Sequence, residues 1–324
     1  LRLLFITSNR IGDAVLSTGV LARLLERHPG ARVTVACGPV AAPLFSAVPG
    51  LDRVLPMTKG RRGAHWWELW RATVGTRWEV VVDLRASLIA WLVPARRRIV
   101  LRPVKTPEHR VVQLGRLLGD EPPPAPTLWI SPEQDAAAAA LLPGAGPVLG
   151  VGPTANWIGK QWPADNFAAA VRRLTAPDGL FPAARVAVFG APSERDTALP
   201  VLEAIPVERR IDLVGTVDLP TVAACMRRCS LYLGNDSGLM HLAAAAGIPT
   251  LGLFGPSPEV NYAPWGRYTA VVRGPRSYRE IVDDPAFDHL SGRCYMDSLT
   301  VDAVVAAAGR LWRSRHAGAE GDRA

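Results

Sequence analysis

The sequence predicts an α/β protein of two doubly wound parallel-sheet domains facing a central cleft. Short β-branched runs alternate with longer helical patterns from the first residue, and the same rhythm restarts after a Pro- and Gly-rich break near residue 143. A chain of 324 residues also suits two domains of about 150 better than one core. Strands separated by helices in this way pair in parallel, with helices on both faces.

In the first half, Leu3–Thr7 has the unbroken apolar character of a buried strand. Asp13–His28 follows as a helix, with Val15, Leu16, Val20, Leu21, Leu24 and Leu25 at helical spacing. Arg32–Cys37 is a strand, Val40–Val48 a short helix ended by Pro49-Gly50, Arg53–Leu55 a brief strand and His65–Val74 a Trp-rich helix. Glu79–Leu84, Ser87–Leu92, Arg98–Leu101 and His109–Leu118 continue as strand, helix, strand and helix. The run Glu121-Pro122-Pro123-Pro124-Ala125-Pro126 extends no helix and joins no central strand. An acid-capped helix over Pro132–Leu142 then leads to the breaker Pro143-Gly144-Ala145-Gly146-Pro147, so the first domain is drawn as 1–143.

The second domain, 147–300, begins with strand Val148–Val151, helix Ala164–Leu174, strand Arg185–Phe189, helix Thr197–Ala204 and strand Ile211–Leu213. Helix Leu219–Cys229, strand Leu231–Leu233, helix Leu239–Ala246 and strand Thr250–Phe254 complete it. The last helix, Val301–Trp312, is long enough to pack back on the first domain. Residues 301–315 are assigned that role, and His316–Ala324 reads as a frayed tail. Ligands of such sheets bind at the carboxyl ends of the strands.

The formal charge is +8, which points to anionic partners: nucleic acid, an acidic membrane surface or a phosphorylated substrate. The basic residues are dispersed and no helix-turn-helix or RNA-recognition motif is present, which argues against nucleic acid. Neither half opens with Gly-x-Gly-x-x-Gly after its first strand, which argues against a nicotinamide dehydrogenase. No apolar stretch reaches the roughly 18 residues of a membrane span, and Leu1–Thr7 is too short for a signal peptide's apolar region, so the expectation is a cytoplasmic protein. Cys37, Cys225, Cys229 and Cys294 fit that compartment as free thiols, and no zinc-ligand spacing surrounds them.

Three segments carry candidate chemistry. Gly234-Asn235-Asp236-Ser237-Gly238-Leu239-Met240-His241 lies between a strand and an Ala-rich helix. Its glycines permit close backbone approach, Asp236 or Ser237 is a candidate cap, and the helix start is a natural pyrophosphate site to which His241 adds a donor. The plainer alternative is an ordinary capped helix with a packed histidine. Gly152-Pro153-Thr154-Ala155-Asn156-Trp157-Ile158-Gly159-Lys160-Gln161-Trp162-Pro163 follows the first strand of the second domain. There Lys160 is either a point charge for a diphosphate or a solvated surface lysine, with Trp157 and Trp162 expected to wall the loop. Asn9-Arg10-Ile11-Gly12-Asp13 ends the first strand, and Asp13 is either a helix cap or a carboxylate aimed into the cleft.

Together with Leu16, Leu21 and Leu253-Phe254-Gly255-Pro256, these segments resemble glycosyltransferase family 9, which contains the ADP-heptose:lipopolysaccharide heptosyltransferases. The matching motifs run in the family's order from residue 1 to about 266. The resemblance implies a GT-B fold with two Rossmann-like domains, the donor held mainly by the second and the acceptor by the first. It makes Asp13 the general base, Lys160 the diphosphate-binding and catalytic lysine, and Asp236, Ser237, Gly238 and His241 the donor loop. Glu194 is the candidate ribose-binding acid and Thr154 a candidate phosphate contact. Ser17-Thr18-Gly19 departs from the proline-containing segment of many relatives, which bears on the acceptor.

The chemistry implied by the resemblance is an inverting transfer. No Asp-x-Asp stands in a loop placed to bridge a metal to a diphosphate, so neither metal nor other cofactor is expected beyond the nucleotide-sugar co-substrate, ADP-heptose. The implied acceptor is a phosphorylated or acidic glycolipid of the lipopolysaccharide core, with peripheral contact with the inner membrane surface as a further expectation. Asn9, Arg10, Arg61 and Arg62 are the acceptor-side candidates, joined by Arg96-Arg97-Arg98 and Arg102 as basic residues suited to phosphates or a solvated surface. Trp66, Trp67 and Trp70 are read as core, domain contact, or contact with a membrane surface or glycan. The competing readings are a GT-B enzyme for another nucleotide sugar or acceptor, and a non-catalytic nucleotide-sugar-binding protein.

Overall fold

The computed structural model describes residues 1–60, 63–102 and 106–321. The chain divides into two compact units, Leu1–Ser131 and Pro132–Ala324. The first contains strands β1 (Arg2–Ile6), β2 (Arg32–Cys37), β3 (Leu51–Pro56), β4 (Trp78–Asp83) and β5 (Ala95–Val100). They stand in the order β3-β2-β1-β4-β5, and every neighbouring pair is parallel. Its helices are α1 (Ile11–Arg27), α2 (Ala64–Thr73), α3 (Ile89–Leu92) and α4 (Arg110–Gly115). Leu3, Leu4, Phe5 and Ile6 are all buried because β1 is central and covered on both faces.

The second unit carries β6 (Val148–Gly152), β7 (Arg185–Gly190), β8 (Arg210–Val214), β9 (Leu231–Asn235), β10 (Thr250–Phe254) and β11 (Thr269–Arg273). Their order is β11-β10-β9-β6-β7-β8, again with every neighbouring pair parallel. Helices α5 (Pro132–Leu141), α6 (Ala164–Leu174), α7 (Arg195–Glu203), α8 (Leu219–Arg227), α9 (Gly238–Ala245), α10 (Glu259–Tyr262), α11 (Tyr278–Val282) and α12 (Val301–Gly321) complete it. Two doubly wound parallel sheets are what the alternating pattern predicts, and Arg32–Cys37, Ala164–Leu174 and Thr250–Phe254 match their predicted limits.

Two boundaries differ from the sequence reading. The helix after the proline run, α5, belongs to the second unit: it packs along α8, and Arg228 Nη1 reaches Asp135 Oδ1 at 2.8 Å. The division therefore falls after Ser131 rather than at residue 143. The final helix packs within its own unit, on α6 and the β10–β11 edge. Its inward residues Val304, Ala307, Ala308 and Leu311 join the core of the second sheet, and Trp312 meets Phe181 edge-on with centroids 4.7 Å apart. The helix continues to Gly321, through part of the segment read as a frayed tail.

All four cysteines are free, and Cys37, Cys225 and Cys229 are buried. Burial pushes the Cys37 thiol up to about 12 and the Cys225 thiol up to about 11. It moves the Cys229 and Cys294 thiols in the same direction. Among the described residues no helix is long and apolar enough to cross a membrane.

Because Leu311 is a core residue of the second unit, Leu311→Ala is expected to destabilise the protein by about 2–5 kcal/mol, through lost burial and a cavity. A lower midpoint in urea unfolding checks this; an unchanged midpoint would detach α12 from that core.

Candidate functional site

Each sheet has one place where its strand order reverses, and chain segments leaving the carboxyl ends of the two strands there diverge to opposite faces. In the second unit that place lies between β6 and β9. The strands end side by side, with Gly152 opposite Gly234. Tyr232 on β9 is the reason both are glycine. A Cβ at Gly152 would stand 1.9 Å from the Tyr232 hydroxyl oxygen, and one at Gly234 2.5 Å from it. The phenol is fully buried, which drives its pKa upward, while the nearby Ser237 hydroxyl acts in the opposite direction. The two hydroxyls make no well-formed hydrogen bond with a described group.

Beyond the glycines, Asn235 ties the two candidate loops together. Its side-chain oxygen accepts from Trp162 N at 3.0 Å, and its amide donates to Pro153 O at 2.8 Å. One buried side chain therefore clamps both ends of the Pro153–Trp162 loop. Trp162 does not wall that loop. It is core, packed edge-on against Phe167, with its indole N–H donating to Leu299 O at 2.8 Å. Trp157 is half-buried and meets Tyr295 and Phe287 at centroid distances of 6.0 and 6.1 Å.

The clamped loop makes a single 3-10 turn over Ile158–Lys160, and its last residue turns back to the other loop. Lys160 Nζ stands 2.7 Å from Asp236 Oδ2. The Asp236 side chain is 8% exposed and that of Lys160 26%, so the carboxylate is taken from water while the ammonium keeps an open side. Asp236 N donates to Leu253 O at 3.1 Å, which fixes the backbone beneath the pair. Asp236 therefore does not cap α9. Ser237 occupies the cap position with extended backbone and no side-chain cap bond, so the first-turn N–H groups of α9, starting at Gly238, keep their donor capacity. His241 is buried on the same helix. Nearby, Thr154 Oγ1 donates to Glu194 Oε2 at 2.8 Å, and Ala191 N donates to the same oxygen at 2.8 Å. The structure thus brings Thr154 to Glu194 and Lys160 to Asp236, at the carboxyl edge of one sheet.

In the first unit the order reverses between β1 and β4. Helix α1 starts at Ile11 with Arg10 at the cap, so Asp13 is its third residue and not its cap. Ser8 Oγ lies 3.5 Å from Asp13 Oδ2. Thr7, Ser8, Asp13, Ser17, Arg85 and Arg110 line a recess of about 70 Å³. Asp83 closes β4 beside it, fully buried, and accepts from Arg85 N and Ser87 N at 2.9 Å each and from Ser87 Oγ at 2.5 Å. Burial raises its pKa and those hydrogen bonds pull it back. The turn it holds includes Ala86 at a positive φ of 52° and presents Arg85, whose Nη1 donates to Asn9 Oδ1 at 3.0 Å. The guanidinium stacks 4.8 Å over Trp66.

Arg10 is exposed, and Arg61 and Arg62 lie outside the described residues. Arg96 pairs with Glu79 on the surface, and Arg98 spends its donors on Ala90 O, Ala95 O and Val93 O. Sequence reasoning gave no role to Asp83, Arg85, Arg110, Tyr232 or Asn235. Asp83 carried a signal, an acid ending an otherwise apolar strand.

If Asn235 sets the loop that carries Lys160, Asn235→Asp keeps the acceptor for Trp162 N but loses the donor to Pro153 O. The expected cost is about 1–3 kcal/mol, with faster proteolysis between Pro153 and Trp162. Wild-type stability and cleavage would show that the loop is held elsewhere.

The model of glycosyltransferase family 9 (heptosyltransferase) matches residues 67–285. Lipooligosaccharide heptosyltransferase 2 of Haemophilus influenzae is 24% identical over 312 residues, which cover 84% of this chain and 88% of that protein. Among solved structures, the glycosyl transferase family 9 protein of Veillonella parvula superposes with a TM-score of 0.79 at 22% identity, covering 97% of each chain. The ADP-heptose lps heptosyltransferase II of E. coli gives 0.74 at 20% identity, covering 98% of this chain and all of the other. The paired doubly wound units are those of the GT-B class, and the chain belongs to glycosyltransferase family 9, the heptosyltransferase family.

Proposed function

We propose that this glycosyltransferase moves heptose from ADP-heptose, with inversion and without a metal, to the core of a lipopolysaccharide or a related acidic glycolipid. The observation that carries the reading is the Lys160–Asp236 pair beside the uncapped start of α9, in a chain of this family. An ammonium held by one carboxylate oxygen retains further donors, and the adjoining N–H groups add a field of the same sign. Together they suit the diphosphate of a nucleotide sugar and the charge that develops as it departs. Glu194, fixed through one carboxylate oxygen by Thr154 and Ala191, is assigned to the ribose. The names of the relatives supply heptose as the sugar and ADP as the nucleotide.

Asp13 is assigned the proton of the attacking acceptor hydroxyl. As that oxygen bonds the anomeric carbon, the bond from carbon to the diphosphate oxygen breaks on the opposite face. Asp13 keeps the proton, and the ADP leaves as an anion without needing one. Arg85 and Arg110, which share the recess with Asp13, favour an acidic acceptor. Since nucleotide sugars are cytoplasmic metabolites, the reaction is assigned to the cytoplasm.

A thermal-shift comparison of ADP-heptose with GDP- and UDP-sugars tests the donor, because ligand bound to the native state raises its melting temperature. A shift confined to another nucleotide sugar reassigns it. Binding without transfer to any glycolipid acceptor would make the protein a non-catalytic binder. Asp13→Asn is expected to lower kcat by about 10²–10⁴-fold with donor affinity retained; near-normal turnover removes Asp13 from the mechanism. Lys160→Ala is expected to weaken donor binding and slow transfer together, measured by nucleotide-sugar titration. Its melting curve, and recovery in Lys160→Arg, separate this from the cost of leaving Asp236 buried without its cation.

A further inference from the structure

The Tyr232 phenol has no part in the chemistry assigned above, yet the carboxyl edge of the second sheet is shaped around it. Tyr232 and Gly234 share one face of β9, and the parallel register sets Gly150 opposite Tyr232 and Gly152 opposite Gly234. The ring lies along this flat bed of glycines. A Cβ at Gly150 would meet the ring at 3.4 Å, whereas one at Gly152 would stand 1.9 Å from the hydroxyl oxygen. The phenol therefore runs along the sheet towards the carboxyl ends of β6 and β9, and carries its hydroxyl to the edge where α9 begins.

An apolar ring would fill the same space without taking a hydroxyl from water. Tyr232 is fully buried, and its oxygen makes no well-formed hydrogen bond with a described residue. Such a group lowers stability. The Ser237 hydroxyl lies near enough to pull the phenol pKa down against the effect of burial, and its own oxygen is also buried without a well-formed bond. The charge of Glu194 acts with burial to keep the phenol protonated. Tyr232 is thus a donor, and Ser237, which makes no cap bond to α9, has a free lone pair to accept and a proton to give.

We propose that Tyr232 is a positioning residue for the nucleoside diphosphate and acts through Ser237. The phenol O–H donates to Ser237 Oγ and turns the Ser237 proton outward, to a phosphoryl oxygen at the start of α9. The proposal rests on the reading of that helix start as the diphosphate site. Two hydroxyls in series polarise one another, so the outer bond is stronger than that of an isolated serine. The direction of the relay also selects the ligand: a serine that accepts from below donates above, which suits an anion and matches the sign of the helix start.

Titration calorimetry with ADP, GDP and UDP tests this. Tyr232→Phe is expected to weaken the tightest binder of the set about three- to tenfold. Its melting temperature should stay the same or rise, because the variant keeps the ring and removes a buried hydroxyl. Ser237→Ala is expected to lose at least as much affinity, and adding Tyr232→Phe to it should cost nothing further. Unchanged affinity in Tyr232→Phe overturns the proposal, as does an additive loss in the double variant. A lower melting temperature with full affinity also overturns it, by making the hydroxyl a structural group. All three results leave the diphosphate site standing, whereas a wild-type chain that binds none of the nucleotides overturns that site and the relay together.

Discussion

A carboxylate withdrawn from water beside an ammonium is tolerable only where both are held, because loss of either partner leaves a charge in poor solvent. The Lys160–Asp236 pair meets that condition through its surroundings. Asp236 is fixed by its own N–H on Leu253 O, and Lys160 by a loop whose two ends are clamped by Asn235. Asn235 in turn sits at the end of β9, where glycines at Gly152 and Gly234 let the strands finish side by side over the Tyr232 phenol. The ion pair is thus the outermost layer of an arrangement that begins with strand register. It also leaves the helix start beside it without a side-chain cap, since Asp236 is engaged by the lysine and Ser237 makes no cap bond.

The first unit repeats the topology with different means. Its reversal point is held by Asp83, which organises a tight turn by accepting three hydrogen bonds, so that Arg85 is delivered beside Asp13 with its guanidinium braced by Asn9 and Trp66. One unit therefore offers a pinned cation next to a helix start, and the other a carboxylate in a recess lined by arginines.

Much of the fold was legible because parallel strands buried on both faces leave near-continuous apolar runs, and the helices between them carry a clear period. The legibility ends where a residue's role depends on distant neighbours. Strand β11 is half-buried along its length, so Thr269–Arg273 lacks the apolar run that marks β10. Helix α5, rich in alanine, gives no directional sign of which unit it joins; Arg228, just beyond the end of α8, settles it. The long α12 has an apolar stripe that sequence cannot aim, and it faces the nearer sheet. At the site, the loops could be read from glycine, lysine and acid spacing, and Lys160 and Asp236 meet at the carboxyl edge of their sheet. Tyr232 and Asn235 could not be read, because a buried phenol and a buried amide look like ordinary strand residues until the second loop lies against them.

The sequestered thiols have a practical consequence. At neutral pH, cysteines whose ionisation is pushed upward by burial offer almost no thiolate to an alkylating reagent, and Cys37, Cys225 and Cys229 are all of this kind. The native protein is thus close to silent towards maleimide chemistry, with the half-exposed Cys294 the one position to replace first. A single cysteine engineered onto the surface would then carry a spin or fluorescent label cleanly, without stripping the interior of its sulfur.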